Sequence, residues 1–138
     1  MVEVVNSQRR VSIDRTRWQE FTDRVLKELD KADENVTIAF VSDRRMRELN
    51  REFRGLDRAT DVLSFPATSD AFSEVSLGDV VISTETALRQ AKENALTLER
   101  EVAQLILHGV LHLCGFDHET DTGEMNRLEL KLRRRLKT

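Results

Sequence analysis

The stretch that most constrains the fold is residues 98–114, LEREVAQLILHGVLHLC. Its apolar content predicts a helix with little surface to give to water, so the rest of the chain has to pack around it. Thr97 stands where a helix N-cap is expected. Gly115 follows where a left-handed residue would end the helix. A chain of 138 residues is long enough to bury one sizeable core around such a helix, and residues 1–138 read as one domain.

The remaining segments supply what that helix packs against. Residues 2–5 (VEVV), 35–42 (NVTIAFVS), 61–65 and 77–83 (LGDVVIS) have the β-branched, apolar character of strands. Residues 14–30 place Trp18, Phe21, Val25, Leu26 and Leu29 at helical spacing. Ser42 is an N-cap candidate for a helix over 43–53 that carries Met46, Leu49, Asn50 and Phe53 on one face, and Gly55 breaks it. Helices are also expected over 84–94 and 119–136, the last with Met125, Leu128 and Leu132 on its apolar side. Residues 67–76, polar and small after Pro66, read as a hairpin tip. The expected class is α+β: a small mixed sheet of about four strands packed against about five helices, with the 98–114 helix central and buried.

Several function classes fall away on composition. No apolar run approaches the ~20 residues of a membrane helix, and the N-terminal stretch lacks the pattern of a secretory signal. A single cysteine cannot form an internal disulfide, so a reducing cytoplasm is the expected compartment. A net charge of −3 argues against unselective coating of nucleic acid. A local basic patch is still available: residues 44–58 hold six arginines against three acids. The later run RRRLK, 133–137, reads as a solvated helix face with acidic neighbours. Aromatics are 5% of the chain, too few for an aromatic stacking platform, although Phe65 and Phe72 border the polar loop.

All three histidines fall within eleven positions, in HGVLHLCGFDH. His108 and His112, four apart on a helix, project from one face with Cβ atoms about 6 Å apart, so they can share a divalent ion. Gly115 lets the chain turn so that His118 can fold back to the same point. Three imidazoles with an open fourth position form a catalytic zinc arrangement, whereas structural sites are closed by four protein ligands. Cys114 lies roughly 200° around the helix from His112 and is expected to be buried and apolar. Asp117, beside His118, is placed to orient an imidazole or to sit in the turn as a solvated residue. The same histidine spacing occurs in metzincin proteases, but Gly109 occupies the position of their catalytic glutamate. A peptidase is therefore the weaker expectation.

HGVLHLCGFDH resembles the signature of the YbeY family of bacterial endoribonucleases. FRGLDRATDVLSFP (53–66) and LGDVVIS (77–83) resemble two further motifs of that family. The resemblance implies a metal-dependent, single-strand-directed endoribonuclease that acts in ribosome biogenesis, on small-subunit (16S) rRNA maturation including its 3′ end, and in ribosome quality control. It implies that His108, His112 and His118 hold one metal ion, with zinc the ion their donor set suits best. It also implies that Arg54 is the functional arginine. Expected partners are single-stranded RNA, rRNA, the small subunit and its assembly factors, with neither membrane nor DNA. Ala59 departs from the family, which commonly has proline there.

Composition alone does not choose Arg54 over Arg51 or Arg58. Arg54 stands at a helix exit beside a glycine, where a guanidinium can grip a phosphate bidentately. It would serve as well in a surface pair with Asp57 or Glu52. Two other functions stay open: a zinc hydrolase acting on another bond, and a non-catalytic ribosome-assembly factor whose metal only pins Gly115–His118 to the helix.

Overall fold

A computed structural model of the chain describes residues 1–67, 76–117 and 121–138. In chain order the elements are β1 (Val2–Asn6), α1 (Arg15–Glu28), β2 (Asn35–Val41), α2 (Asp43–Arg54), β3 (Val62–Pro66), β4 (Ser76–Ser83), α3 (Thr84–Glu93), α4 (Leu98–Leu113) and α5 (Glu124–Leu136). The sheet order is β1-β2-β4-β3. β1 and β4 flank β2 in parallel, and β3 pairs antiparallel with β4 as an edge strand. This is the mixed four-stranded sheet with five helices that the sequence predicts.

Period-two alternation divides the sheet into two faces. On β2 and β4, Val36, Ile38, Phe40, Val80 and Ile82 join α1, α4 and α5 in the larger apolar cluster. Val41 and Val81, with Leu63 of β3, meet Met46 of α2 in a smaller cluster on the other face. Ten of the sixteen α4 residues are buried, so its packing against β3, β4, α1, α3 and α5 fixes where its polar side chains emerge.

Local signals set most helix ends. The Arg45 N–H donates to Ser42 Oγ and the Arg100 N–H to Thr97 Oγ1, as N-caps do. Gly55 leaves α2 at φ +71°, the left-handed region that favours glycine. One expectation needs correction. The last helix starts at Glu124 rather than residue 119, because Gly123 turns left-handed there while the Asp121 carboxylate accepts from the Gly123 and Met125 N–H groups. Phe53, which the helical spacing places on one face of α2 with Met46, Leu49 and Asn50, is 59% exposed and packs edge-to-face with Phe65, ring centroids 5.2 Å apart. The expected hairpin tip lies mostly outside the described residues.

Asp43 ties α2 to α3. Its carboxylate accepts from Ser83 Oγ, from Thr86 Oγ1 at 2.6 Å and from Arg89 at 2.8 Å, while its own N–H donates to Glu85 Oε1. Burial alone would raise its pKa, but the Ser83, Thr86 and Arg89 hydrogen bonds outweigh burial and hold it below 3.8. A depressed carboxylate stabilises the fold above its ordinary value, and that stability is lost as pH falls through the depressed one. Asp43→Asn is therefore expected to cost about 1–2 kcal/mol at neutral pH. Urea unfolding curves at pH 7 and pH 3 should show the gap between variant and wild type closing in acid.

Candidate metal centre and RNA cleft

α4 delivers His108 and His112 one turn apart to the same side of the helix. Their rings are half-buried, with centroids 4.6 Å apart at 75°, and the two Nε2 atoms are 3.1 Å apart. They face a cleft of about 520 Å³ whose other lining residues include Arg54, Asp61, Ser64 and Asp117. The cleft spans the open edge of the sheet, with α2 contributing from one side and α4 from the other.

The residue that orients this pair is Glu129 of α5, which is 5% exposed. Its Oε1 lies 2.7 Å from His108 Nδ1, and its Oε2 accepts from Arg133 at 3.3 Å. Pairing with Arg133 favours the ionised, acceptor-only carboxylate, so Nδ1 of His108 carries the proton. In that tautomer Nε2 is the lone-pair nitrogen, and it is directed toward His112. Carboxylate-held imidazoles of this kind are the usual second partners of metal-ligating histidines. Sequence reading missed Glu129, although a signal was present. It falls four residues after Met125 and three before Leu132, both buried, so a charge sits inside a buried stripe.

The donor set suits a divalent ion. Two nitrogens each 2.0–2.1 Å from a tetrahedral ion stand about 3.3 Å apart, close to the spacing seen here. His118, the expected third ligand, lies outside the described residues. So does any contact between it and Asp117, although Asp117 does line the cleft. Cys114 packs against the larger core cluster, and burial pushes its thiol pKa up, the opposite of what a thiolate ligand needs.

Gly109 shows why no glutamate stands between the histidines. A Cβ built there would lie 2.6 Å from Val80 Cγ1, 3.1 Å from Val80 Cγ2 and 3.2 Å from Ser64 Oγ. The helix backbone rests directly on the sheet at this point, and Ser64 Oγ donates to the Gly109 carbonyl at 3.1 Å. No side chain fits, let alone a carboxylate aimed at a ligand.

Arg54, the last residue of α2, lines the cleft and is exposed. The surface pair with Asp57 is not what forms. Arg47 grips Asp57 bidentately at 2.8 and 3.0 Å, and Arg51 approaches the same carboxylate at 3.9 Å. No ion pair links Arg54 to another described residue. In the C-terminal run, Arg133 and Arg135 do pair with acids, Glu129 and Glu28.

Comparison with known protein families matches the one described as Endoribonuclease YbeY over residues 3–137. The chain belongs to the YbeY family. Among its curated relatives, each named Endoribonuclease YbeY, the Clostridioides difficile protein is 52% identical over 101 residues, covering 68% of this chain and 66% of that one. The Anaeromyxobacter relative is 48% identical, over 77% of this chain and 56% of its own length. These two alignments thus span less than two thirds of the relatives. The Carboxydothermus hydrogenoformans relative is 46% identical over 136 residues, 96% of this chain and 94% of that one. A solution structure of a Thermotoga maritima protein aligns with a TM-score of 0.66 and 29% identity, covering 99% of this chain and 89% of that one. Among the described residues no helix is long and apolar enough to cross a membrane.

The close seating of α4 yields a stability prediction. Gly109→Ala gains about 1 kcal/mol of helix propensity but pushes a methyl into Val80, a strain of about 1–3 kcal/mol. The variant should have the lower melting temperature in calorimetry. A more stable variant would show that the helix does not bear on the sheet there.

Proposed function

We propose that this chain is a metal-dependent endoribonuclease that cuts single-stranded RNA in the cleft between Arg54 and the His108–His112 pair. The supporting observation is the convergence of the two Nε2 atoms at 3.1 Å, with Glu129 holding the His108 tautomer that exposes a lone pair. Family membership supplies the substrate class. On this reading His118 completes the ligand set by its motif position, and zinc is the ion of choice, although imidazoles also accept nickel, copper and iron.

A divalent ion held by His108, His112 and His118 would supply Lewis acidity toward a phosphate in the cleft. The remaining work falls to the chain. Arg54, without an internal carboxylate partner among the described residues, is available to hold a phosphate in bidentate fashion and to offset charge that develops on its oxygens. Glu129 keeps the His108 ring oriented and its Nδ1 protonated. Gly109 leaves no carboxylate between the histidines to take a proton from an attacking water, which disfavours the peptidase reading. Attack by the RNA 2′-OH would leave a 2′,3′-cyclic phosphate, whereas attack by water would not.

We place the substrate in small-subunit rRNA maturation, including 3′-end processing, and in ribosome quality control, in the cytoplasm and with ribosomal partners, as the motif resemblance implies. The competing reading is an assembly factor with a structural metal, and activity separates the two. Arg54→Ala should keep its metal and fold but lose roughly 10²–10³-fold in kcat/KM on single-stranded RNA, the size of effect seen when one donor to a developing oxyanion is removed. Equal activity in variant and wild type would remove Arg54 from the mechanism. His112→Ala should lose stoichiometric metal by elemental analysis, and full retention would refute shared coordination.

A further inference from the structure

The floor of the cleft is formed partly by backbone. Val62, Leu63 and Ser64 are consecutive, and all three line it. Side chains of a strand alternate, and Leu63 is buried in the α2-side cluster while Ser64 reaches Gly109 on the α4 side. A surface touched by all three is therefore met along the strand's edge.

The register tells which groups that edge presents. The Asp61 carbonyl accepts from the Ser83 N–H, and the Ala67 N–H donates to the Leu77 carbonyl. Hydrogen-bonded pairs in an antiparallel ladder recur every second residue, so 61, 63, 65 and 67 face β4. Residues 62, 64 and 66 turn their backbone groups the other way, where the sheet has no further strand among the described residues. The Val62 N–H is taken by its neighbour's carboxylate, Asp61 Oδ1 at 2.8 Å, and Pro66 has no N–H. Along β3 this leaves the Ser64 N–H as the open-edge donor, beside the Ser64 carbonyl on the same side.

We propose that this edge receives the Watson–Crick edge of an unpaired nucleobase, with the Ser64 N–H and C=O in place of a complementary base. Every RNA base carries an acceptor next to a donor on that edge: N1 and the N6 amine of adenine, O4 and N3–H of uracil. One peptide unit pair can thus hold any base, but only when that edge is not already paired. The arrangement selects single strands without reading sequence. It also spares the protein an aromatic platform, which it lacks: among the described residues Phe53 is the one exposed aromatic. The occupant is RNA rather than a partner's strand because the same cleft holds Arg54 and the imidazole pair. The inference rests on the cleft being the RNA site.

The test uses proline. Pro66 already occupies an outward N–H position of this edge strand, and a second outward proline breaks no ladder bond. Ser64→Pro removes the donor together with the hydroxyl, and Ser64→Ala removes the hydroxyl alone, so the proline variant is read against the alanine variant. The ligands are short oligouridylate and oligoadenylate, and the same strands built from N3-methyluridine and N6,N6-dimethyladenosine, whose Watson–Crick edges are blocked. Wild type and Ser64→Ala should bind the unblocked strands roughly five- to tenfold more tightly than the blocked ones, about the value of one or two hydrogen bonds. Ser64→Pro should bind both kinds equally, at the weaker level, with circular dichroism showing the fold intact. Equal binding of blocked and unblocked strands by wild type would overturn the inference. So would discrimination that persists in Ser64→Pro, the outcome expected if a group other than the Ser64 peptide reads the base edge. Failure of the cleft assignment itself is distinguishable, because Arg54→Ala would then leave binding of every strand unchanged.

Discussion

A single buried carboxylate governs the candidate centre. Glu129 costs the fold the desolvation of a charge, and it is tolerated because its two oxygens meet His108 Nδ1 and the Arg133 guanidinium. What the protein obtains is an imidazole with one allowed tautomer and one orientation. Without that acceptor the ring could present either nitrogen to the cleft, and the approach of the two Nε2 atoms would be one arrangement among several. α5 therefore contributes to the site although it supplies no proposed ligand.

The sheet makes a second contribution, through placement. β4 lies between a parallel neighbour and an antiparallel one, so the chain reaches the sheet edge at β3 and exposes that edge beside α4. Gly109 lets α4 settle onto β4 and β3, bringing the imidazoles level with the edge. From the opposite face, α2 ends at Gly55 just as Arg54 reaches the same opening. The Asp43 N–H donates to Glu85 and the Asp43 carboxylate accepts from Ser83 and Thr86, which joins the starts of α2 and α3 and holds α2 in register with the rest. Three kinds of polar group, imidazole, guanidinium and free peptide, thus converge from three separate elements.

How much of this could be read from the chain depended on the range of each signal. Ser42, Thr97 and Gly55 mark helix ends through bonds to residues three or four positions away, so those ends were legible. The β3–β4 pair was legible as a hairpin because two apolar stretches flank one short polar segment. The His108–His112 pairing followed from helix geometry, and the two rings do meet. The parallel pairing of β2 with β4 joins segments forty residues apart and leaves no local trace. Glu129 bonds to a ring twenty-one residues away, and only its intrusion into the apolar stripe of α5 hinted at burial. Arg54 was indicated by motif resemblance alone. The structure adds a reason, since Arg47 occupies the carboxylate that would otherwise compete for it. Phe53 followed the helical period yet lies at the surface, where its ring meets the edge-strand residue Phe65 and not the buried core.

The bare contact at Gly109 has a consequence for how such a protein could adapt. Ordinarily a layer of side chains cushions a helix against its sheet and absorbs small shifts during evolution. Here the turn between the two imidazoles rests on Val80 and Ser64 with no side chain of its own between, so a change in the volume of that valine would shift the helix, and both rings with it, relative to the β3 side of the cleft. Reactivity and cohesion meet at one joint. Lineages moving to hotter or colder habitats would be free to rebuild the surface and the α2 side of the sheet, but would have to leave this hinge of glycine on valine nearly as they found it.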